Sequence, residues 1–312
     1  MTALMEDKSN VTYLTLGGFV VLHEYRYLCF VVMFTVYVLI IGFNSTIVCL
    51  IVTHQSLHEP MYIFIAALLI NSVLYSSNLY PKLLVDLLSE KQLISFSLCF
   101  FQAFIYYTLI VAEILLLTVM AYDRYVSICK PLQYPTVMRK TTVTVFLVLA
   151  WLVPSCELAV SMAFNSTLKP CTFTLKGLFC NNSFYKLQCE NSLPISHFGL
   201  AILVKSTFIP TFFTFFSYTR ILLICHRSSK EVRTKAAYTC LPQLLVLFST
   251  ICLGLYDALE VRLNVDVPKL TDVLLTLQFM VYYPLFNPII YGLKMKEISK
   301  PLRKLLFNVE LH

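Results

Sequence analysis

The sequence is poor in charge. Asp, Glu, Lys and Arg make up 13% of its 312 residues, about half the share of a soluble domain. Glycine occurs only 7 times and tryptophan once. That scarcity argues against a turn-rich β-barrel, and the short alternating apolar segments of a barrel are absent too. Residues 1–28 lack the ordered basic start, apolar core and small-residue cleavage site of a secretory signal. The first apolar span is therefore expected to act as its own insertion signal. There is no His-Glu-x-x-His, no Gly-x-Ser-x-Gly and no cluster of acids within an apolar span, so no catalytic or metal centre and no cofactor is expected. Internal repeats and paired broken helices, the marks of many transporters, are missing as well.

What is present is apolar surface. Hydrophobic residues make up 58% of the chain, with 24 Phe and 19 Tyr. One soluble core cannot hide that much, whereas a bilayer tolerates it. Seven stretches are long enough to cross one: Leu28–Val52, Met61–Tyr80, Ser97–Tyr122, Val143–Ala163, Ile195–Tyr218, Ala236–Tyr256 and Val273–Leu293. Ionisable residues inside them are few: Glu113, Glu157, His197 and Lys205. Hydrocarbon requires each span to satisfy its own backbone hydrogen bonds, so the spans read as helices. The expected fold is an all-α membrane protein, a seven-transmembrane-helix bundle. The expected organisation is an extracellular amino-terminal segment (residues 1–27), a receptor domain (28–293) and a cytoplasmic tail (294–312). In the tail, Ile298, Leu302, Leu305 and Leu306 recur at helical spacing among basic residues, as in an amphipathic helix lying on a membrane surface.

The net charge of +7 does not point to nucleic acid, because the basic residues lie in short segments between spans rather than in a stripe with interleaved aromatics. With the amino terminus outside, 14 of the 24 Lys and Arg fall on the inner side, densest over 220–235 and 294–304, as cytoplasmic loops require. Two glycosylation sequons, at Asn10 and Asn181, then fall outside. A third, at Asn165, sits at the end of span four, and a fourth, at Asn44, is inside span one and is discounted. Of 11 cysteines, Cys99, Cys171, Cys180 and Cys189 face the oxidising side, where disulfides persist. Spacing alone leaves their three pairings open.

Four motifs stand on this frame: Leu57-His58-Glu59-Pro60-Met61-Tyr62 opening span two, Met120-Ala121-Tyr122-Asp123-Arg124-Tyr125 ending span three, Lys235-Ala236-Ala237-Tyr238-Thr239-Cys240 opening span six, and Pro284-Leu285-Phe286-Asn287-Pro288-Ile289-Ile290-Tyr291 in span seven. Together, in this order on seven spans, they resemble the vertebrate odorant receptors of the rhodopsin-like, G-protein-coupled class. The wording at 57–62 and Ser89-Glu90-Lys91-Gln92 is most similar to the fish branch. The resemblance runs from Asn44 to Lys304.

The resemblance implies a plasma-membrane receptor, not an enzyme, whose partners are a small-molecule odorant, a heterotrimeric G protein of the stimulatory, olfactory type, and membrane lipid. The alternative is a receptor of the same class for a non-odour ligand. It implies disulfides Cys99–Cys180 and Cys171–Cys189. It implies a ligand pocket lined by Tyr106, Tyr107, Ile110 and Val111 in span three, Ile202, Leu203 and Ser206 in span five, Gly254 and Ala258 in span six and Leu277 in span seven. Lys205 and Asp257 lie near that pocket. Asp123, Arg124 and Tyr125, with Tyr218, Asn287, Pro288 and Tyr291, correspond to the activation switch. Trp151 corresponds to a packing tryptophan of the class. Asn44, Ser72 and Glu113 are the buried polar residues. Glu113, deep in a span, requires an interior partner. Related receptors hold sodium at this level, but their span-two acid is replaced here by Ser72, with Asn71 alongside. A sodium ion and a hydrogen-bonded, protonated carboxyl are both open readings. Span six departs from the family: Thr250-Ile251-Cys252-Leu253-Gly254 stands where Phe-Tyr-Gly is expected, and Gln243 replaces a frequent histidine.

Overall fold

The computed structural model describes residues 13–166, 171–181, 187, 193–226, 243–252, 254–255, 268–294 and 298–299. Six long helices are apolar enough to cross a membrane: α1 (Arg26–Thr53), α2 (Pro60–Leu88), α3 (Phe96–Cys129), α4 (Lys140–Ser166), α5 (Leu193–His226) and α7 (Lys269–Lys294). A shorter apolar helix, α6 (Gln243–Cys252), is the described part of the remaining span. The fold is a seven-helix bundle.

The helices start where local chemistry favours it. Pro60 occupies the first turn of α2, where its missing N–H costs nothing. Ser95 caps α3, its hydroxyl accepting from the Leu98 amide at 3.3 Å. Several helices overrun the apolar spans. α2 continues past Tyr80 through Pro81 to Leu88, carrying Lys82 and Asp86, which form an ion pair one turn apart. α3 carries Asp123 and Arg124 within its length and ends at Cys129. Hydropathy sees only the hydrocarbon-facing stretch, and the backbone ladder does not stop where that stretch ends.

α3 is the hub, buried along much of its length and packed on α2, α4 and α5. One core cluster fills the end of the bundle where α1 and α7 begin, and a second fills the other half. Proline sets the polar ties between helices. A proline at position i leaves the carbonyl at i−4 without its amide donor. In α7, Pro284 frees the Met280 carbonyl, which accepts from the Tyr80 hydroxyl of α2 at 3.1 Å. Pro288 frees the Pro284 carbonyl, which accepts from Asn44 Nδ2 of α1 at 3.0 Å. Two backbone groups that hydrocarbon would leave stranded become the joints of α7 with α2 and α1.

A small sheet closes over the end where α1 and α7 begin. β1 (Tyr13–Leu16) pairs antiparallel with β2 (Leu93–Ser95) before α3, and parallel with β3 (Thr174–Leu175) after α4. Leu14 and Leu16 point inward and are wholly buried, beside Phe19 and Leu22 of the following 3-10 helix. Phe179, Leu178 and the Cys99–Cys180 disulfide complete this roof. The amino-terminal segment, expected only to lie outside, is thus built into the bundle from Tyr13 onward.

Three of the chain's seven glycines make that contact. A Cβ on Gly18 would lie 2.8 Å from the Gly177 carbonyl carbon, and one on Gly17 would lie 3.0 Å from the Leu175 oxygen. Both obstacles are backbone, so neither can rotate away. Gly18→Val is expected to lift the 3-10 helix off the loop and cost about 1–3 kcal/mol. The check is the melting temperature of purified protein against Gly42→Ala, at a site where nothing lies within 4 Å. Equal melting temperatures would refute the close-packed roof.

Candidate functional site: a buried polar chain from roof to opposite end

Polar side chains are costly inside a membrane bundle, and those present converge. Glu113, fully buried on α3, accepts from Asn287 Nδ2 of α7 at 3.0 Å and from Asn71 Nδ2 of α2 at 3.4 Å. The Tyr283 hydroxyl also reaches it. Asn287 Nδ2 is 3.3 Å from the Ser72 hydroxyl. Asn71 in turn donates to the Leu109 carbonyl at 2.9 Å and accepts from Trp151 Nε1 of α4 at 3.1 Å. Four helices, α2, α3, α4 and α7, are therefore joined through one carboxyl group and two amides.

Trp151 is more than packing: it touches both core clusters and also holds the Asn71 amide in one orientation. Asn71 itself, adjacent to the predicted Ser72, is the central connector. A polar residue within Met61–Tyr80 was legible in the sequence. Both Asn71 and Ser72 turned inward, and the rotation of α2 against α3 decided that Asn71 meets Glu113 while Ser72 meets Asn287. Among the described residues, no group of three or more His, Cys, Asp or Glu could hold a metal ion.

Toward the roof, the chain continues through aromatic rings. Tyr283 lies 4.6 Å from Tyr75, centroid to centroid, and Tyr75 lies 5.6 Å from Tyr106. Tyr106 meets Phe179 of the roof at 5.0 Å and Tyr107 at 4.9 Å. These separations suit offset and edge-on aromatic pairs. Gln102, one turn before Tyr106, exchanges hydrogen bonds with Asn78 of α2 and accepts from the Cys180 amide at 3.1 Å.

The predicted pocket residues fall into separate places. Tyr106, Ile110 and Val111 are buried and Tyr107 is half-buried. Ser206 is buried but donates to Glu157 of α4 at 3.0 Å, and Lys205 forms an ion pair with the same carboxylate. The pair makes α4, not only α5, a neighbour of this region. Leu277 lines a groove against α1. Gly254 has open space where a side chain would be, and Ile202 is half-buried. The side chain of Leu203 and residues Asp257 and Ala258 lie outside the described residues. So do Asn10, Asn165's side chain, Cys189, the basic segment 227–235, Lys235–Cys240 and most of the tail. Within the tail, Ile298 and Ser299 are helical, and Ile298 is buried in the second core cluster. Cys99 and Cys180 are bonded, with their Cα atoms 5.4 Å apart. Cys171 is also in a disulfide. Asn181 is partly exposed.

At the end away from the roof, Arg124 Nη2 lies 3.4 Å from Asp123 Oδ2, and the Tyr134 hydroxyl donates to Asp123 Oδ1 at 2.9 Å. Tyr134 belongs to the short helical turn Tyr134–Val137 between α3 and α4, a partner that spacing did not reveal. Burial, and then the Asp123 carboxylate beside it, push the Tyr134 phenol above its ordinary range. The hydroxyl therefore remains a donor throughout physiological pH. Tyr125 packs with Tyr218 and Cys225 of α5. Tyr218 donates to Gln243 Oε1 of α6. Tyr291, one turn beyond Asn287, lies near Gln243 without completing a hydrogen bond. Gln243 thus stands between Tyr218 and Tyr291.

A seven-helix membrane bundle with a polar core strung between an aromatic, disulfide-closed end and an Asp-Arg-Tyr end is a receptor of the rhodopsin-like class. A family model described as olfactory receptor matches residues 32–309. The chain is similar to olfactory receptor 4B13 of Mus musculus, 31% identical over 96% of this chain and 97% of the relative. It is also similar to olfactory receptors 4E1 and 11A1 of Homo sapiens, each 34% identical over 98% of this chain and 97% of the relative. The chain belongs to the olfactory receptor family: it is a multi-pass protein of the plasma membrane, an odorant receptor in a family of G-protein-coupled receptors rather than of enzymes.

Replacing Gln243 by Leu removes the amide oxygen that accepts from the buried Tyr218 hydroxyl, a cost of about 1–3 kcal/mol. The melting temperature of the purified receptor is expected to fall by several degrees. Gln243→His, which keeps a ring nitrogen for the hydroxyl, is expected to retain most of it. Equal loss in both variants would show that packing, not the hydrogen bond, holds α5 to α6.

Proposed function

We propose that a small odorant binds in the roofed half of the bundle, among Tyr106, Tyr107, Ile110 and Val111 of α3, Ile202, Leu203 and Ser206 of α5, Gly254 and Ala258 of span six and Leu277 of α7. The roof faces the exterior, with the amino-terminal segment 1–27 outside. Residues 28–293 form the receptor domain, and the tail 294–312 lies on the inner leaflet. The odorant acts by population shift: bound preferentially to one arrangement of the bundle, it moves the equilibrium toward that arrangement. Parting of spans five and six at the inner end then presents Arg124 and the basic segment 220–235 to a stimulatory G protein of the olfactory type.

The observation that carries this reading is the run of side-chain contacts that leads from the roof to Glu113 and Asn287, one turn from Tyr291. It runs from Tyr106 through Tyr75 and Tyr283 to Glu113 and Asn287. One turn on lies Tyr291, near Gln243, which accepts from Tyr218. A ligand that displaces Tyr106 disturbs Tyr75, whose ring packs on Tyr283, a partner of Glu113. In hydrocarbon, that carboxyl group cannot lose its donors without finding others, so a shift at one end must be answered along the chain.

The test is cyclic AMP in cells expressing the receptor with an olfactory-type G protein, challenged with volatile and water-soluble odorants. An odorant response that Arg124→Ala abolishes at matched surface level is the expected result. Silence across the panel, despite verified surface expression, would shift the ligand to a non-odour molecule. Orientation has its own check. Asn181→Gln is expected to remove one glycan, read as a gel-mobility shift that enzymatic deglycosylation reproduces in the parent. Absence of glycan on both Asn10 and Asn181 would argue for the opposite orientation.

A further inference from the structure

A groove of about 530 Å³ runs between residues 28–33 of α1 and 274–282 of α7 and is open along one side. Its walls are Cys29, Val32 and Met33 on one helix and Leu274, Leu277 and Val281 on the other. On α7 the spacing is i, i+3, i+7, a single ridge. On α1 the small side chains of Cys29 and Val32 leave the ridge unfilled. The volume falls in the roughly 300–1,000 Å³ range of ligand-sized pockets. Such pockets enclose most of their ligand, and this one does not. Both walls are membrane-spanning helices, so the open side meets hydrocarbon. An occupant must tolerate lipid on one face and apolar side chains on the other.

Charge identifies what sits at the top. Each wall begins with a cation: Arg26 is the first residue of α1 and Lys269 the first of α7. Arg26 lies three residues above Cys29, on the same face of α1. Its guanidinium rests 4.8 Å over the Tyr27 ring and donates through Nη2 to the Tyr27 hydroxyl at 2.9 Å. Both helices also point their amino-terminal ends, the positive ends of their dipoles, toward this level. Asp272 lies in the first turn of α7, one turn below Lys269.

From these observations we infer that the groove is a binding site for one membrane phospholipid, with an acyl chain along Cys29–Met33 and Leu274–Val281 and the phosphate at Arg26 and Lys269. The membrane leaflet that supplies it follows from the orientation proposed above, and the site itself does not depend on that orientation. The floor of the groove is shared with the pocket region. Met33 belongs to the core cluster that includes Tyr106, Phe279 and Tyr283, and Leu277 and Val281 pack on it. The bound chain therefore fills a gap in the wall of the ligand-binding half, and its loss loosens the packing of α1 on α7.

The experiment uses the full-length receptor in phosphatidylcholine nanodiscs doped with a phosphatidylcholine carrying a photoreactive diazirine in its acyl chain. Crosslinks are mapped by peptide mass spectrometry. Residues 28–33 and 274–282 are expected to label about tenfold above the exposed Val145, Val148, Leu149, Leu152 and Val153 of α4, the excess of a site over random lipid contact. Val32→Trp, or Cys29→Phe should the first fail to fold, fills the groove and is expected to remove that excess while leaving α4 labelling unchanged. A diacylglycerol with the same photoreactive chain and no phosphate is expected to label the groove about tenfold less, the worth of charge-assisted contacts. Arg26→Ala with Lys269→Ala is expected to abolish the difference between the two probes. Labelling of the groove no stronger than α4 overturns the site, and equal labelling by both probes overturns its assignment to a phospholipid. Displacement by a lipophilic odorant, with α4 labelling intact, overturns it in favour of a ligand entry. None of these readouts is a signalling measurement, so a receptor silent in the cyclic AMP assay leaves the inference standing.

Discussion

Hydrocarbon offers no hydrogen bonds, and the architecture of this receptor follows from meeting that constraint at α7. Two prolines four residues apart, Pro284 and Pro288, free two carbonyls on one helix. In water, solvent would take them. Here they are taken by Tyr80 of α2 and Asn44 of α1. The helix that is weakest along its own axis is thereby the one most firmly tied to its neighbours. Glu113 sits within a turn of the same region and draws Asn71, Asn287 and Tyr283 around itself. Each group answers a cost that another creates: a freed carbonyl needs a donor, a buried carboxyl needs several, and a buried amide needs an acceptor. The network that results spans α1, α2, α3, α4 and α7.

Function draws on the same economy. A polar network in a low-dielectric interior has few alternative arrangements, because each broken bond must be replaced. Breaking one of its bonds therefore obliges the partners to find others. The Asp123–Arg124–Tyr134 group and the Tyr218–Gln243 bond at the far end are small sets of the same kind. At the α5–α6 seam it is Gln243 that accepts from the Tyr218 hydroxyl.

Much of the bundle was legible because hydropathy reports a solvent directly. The seven spans, the interior position of Glu113, the discounting of the sequon at buried Asn44 and the neighbourhood of Asp123 with Arg124 all follow from the cost of polar groups in lipid. Less legible were contacts set by helix rotation and by loops. Asn71 rather than its neighbour Ser72 became the connector, and Trp151 acquired a hydrogen bond. Lys205 and Ser206 met Glu157 across the α4–α5 seam, although all three residue types were visible as polar positions within spans. The roof was not legible at all. Its strands are four, three and two residues long, too short for periodicity to register, and they pair segments far apart in the chain, Tyr13 with Ser95 and Thr15 with Thr174.

The amino-acid sequence by itself determined that this chain spans a membrane seven times, which residues pay for being there, and the family whose motifs it carries. Those are properties of composition and of order along one chain, and they survive without knowledge of any contact. The tertiary structure decided which of the paid-for groups meet. It chose Asn71 and Asn287 for Glu113 and Tyr134 for Asp123, and it chose the roof of Leu14, Leu16 and Phe179 over the aromatic layer. Helix rotation and loop closure depend on the packing of every neighbour at once, and no local pattern encodes them.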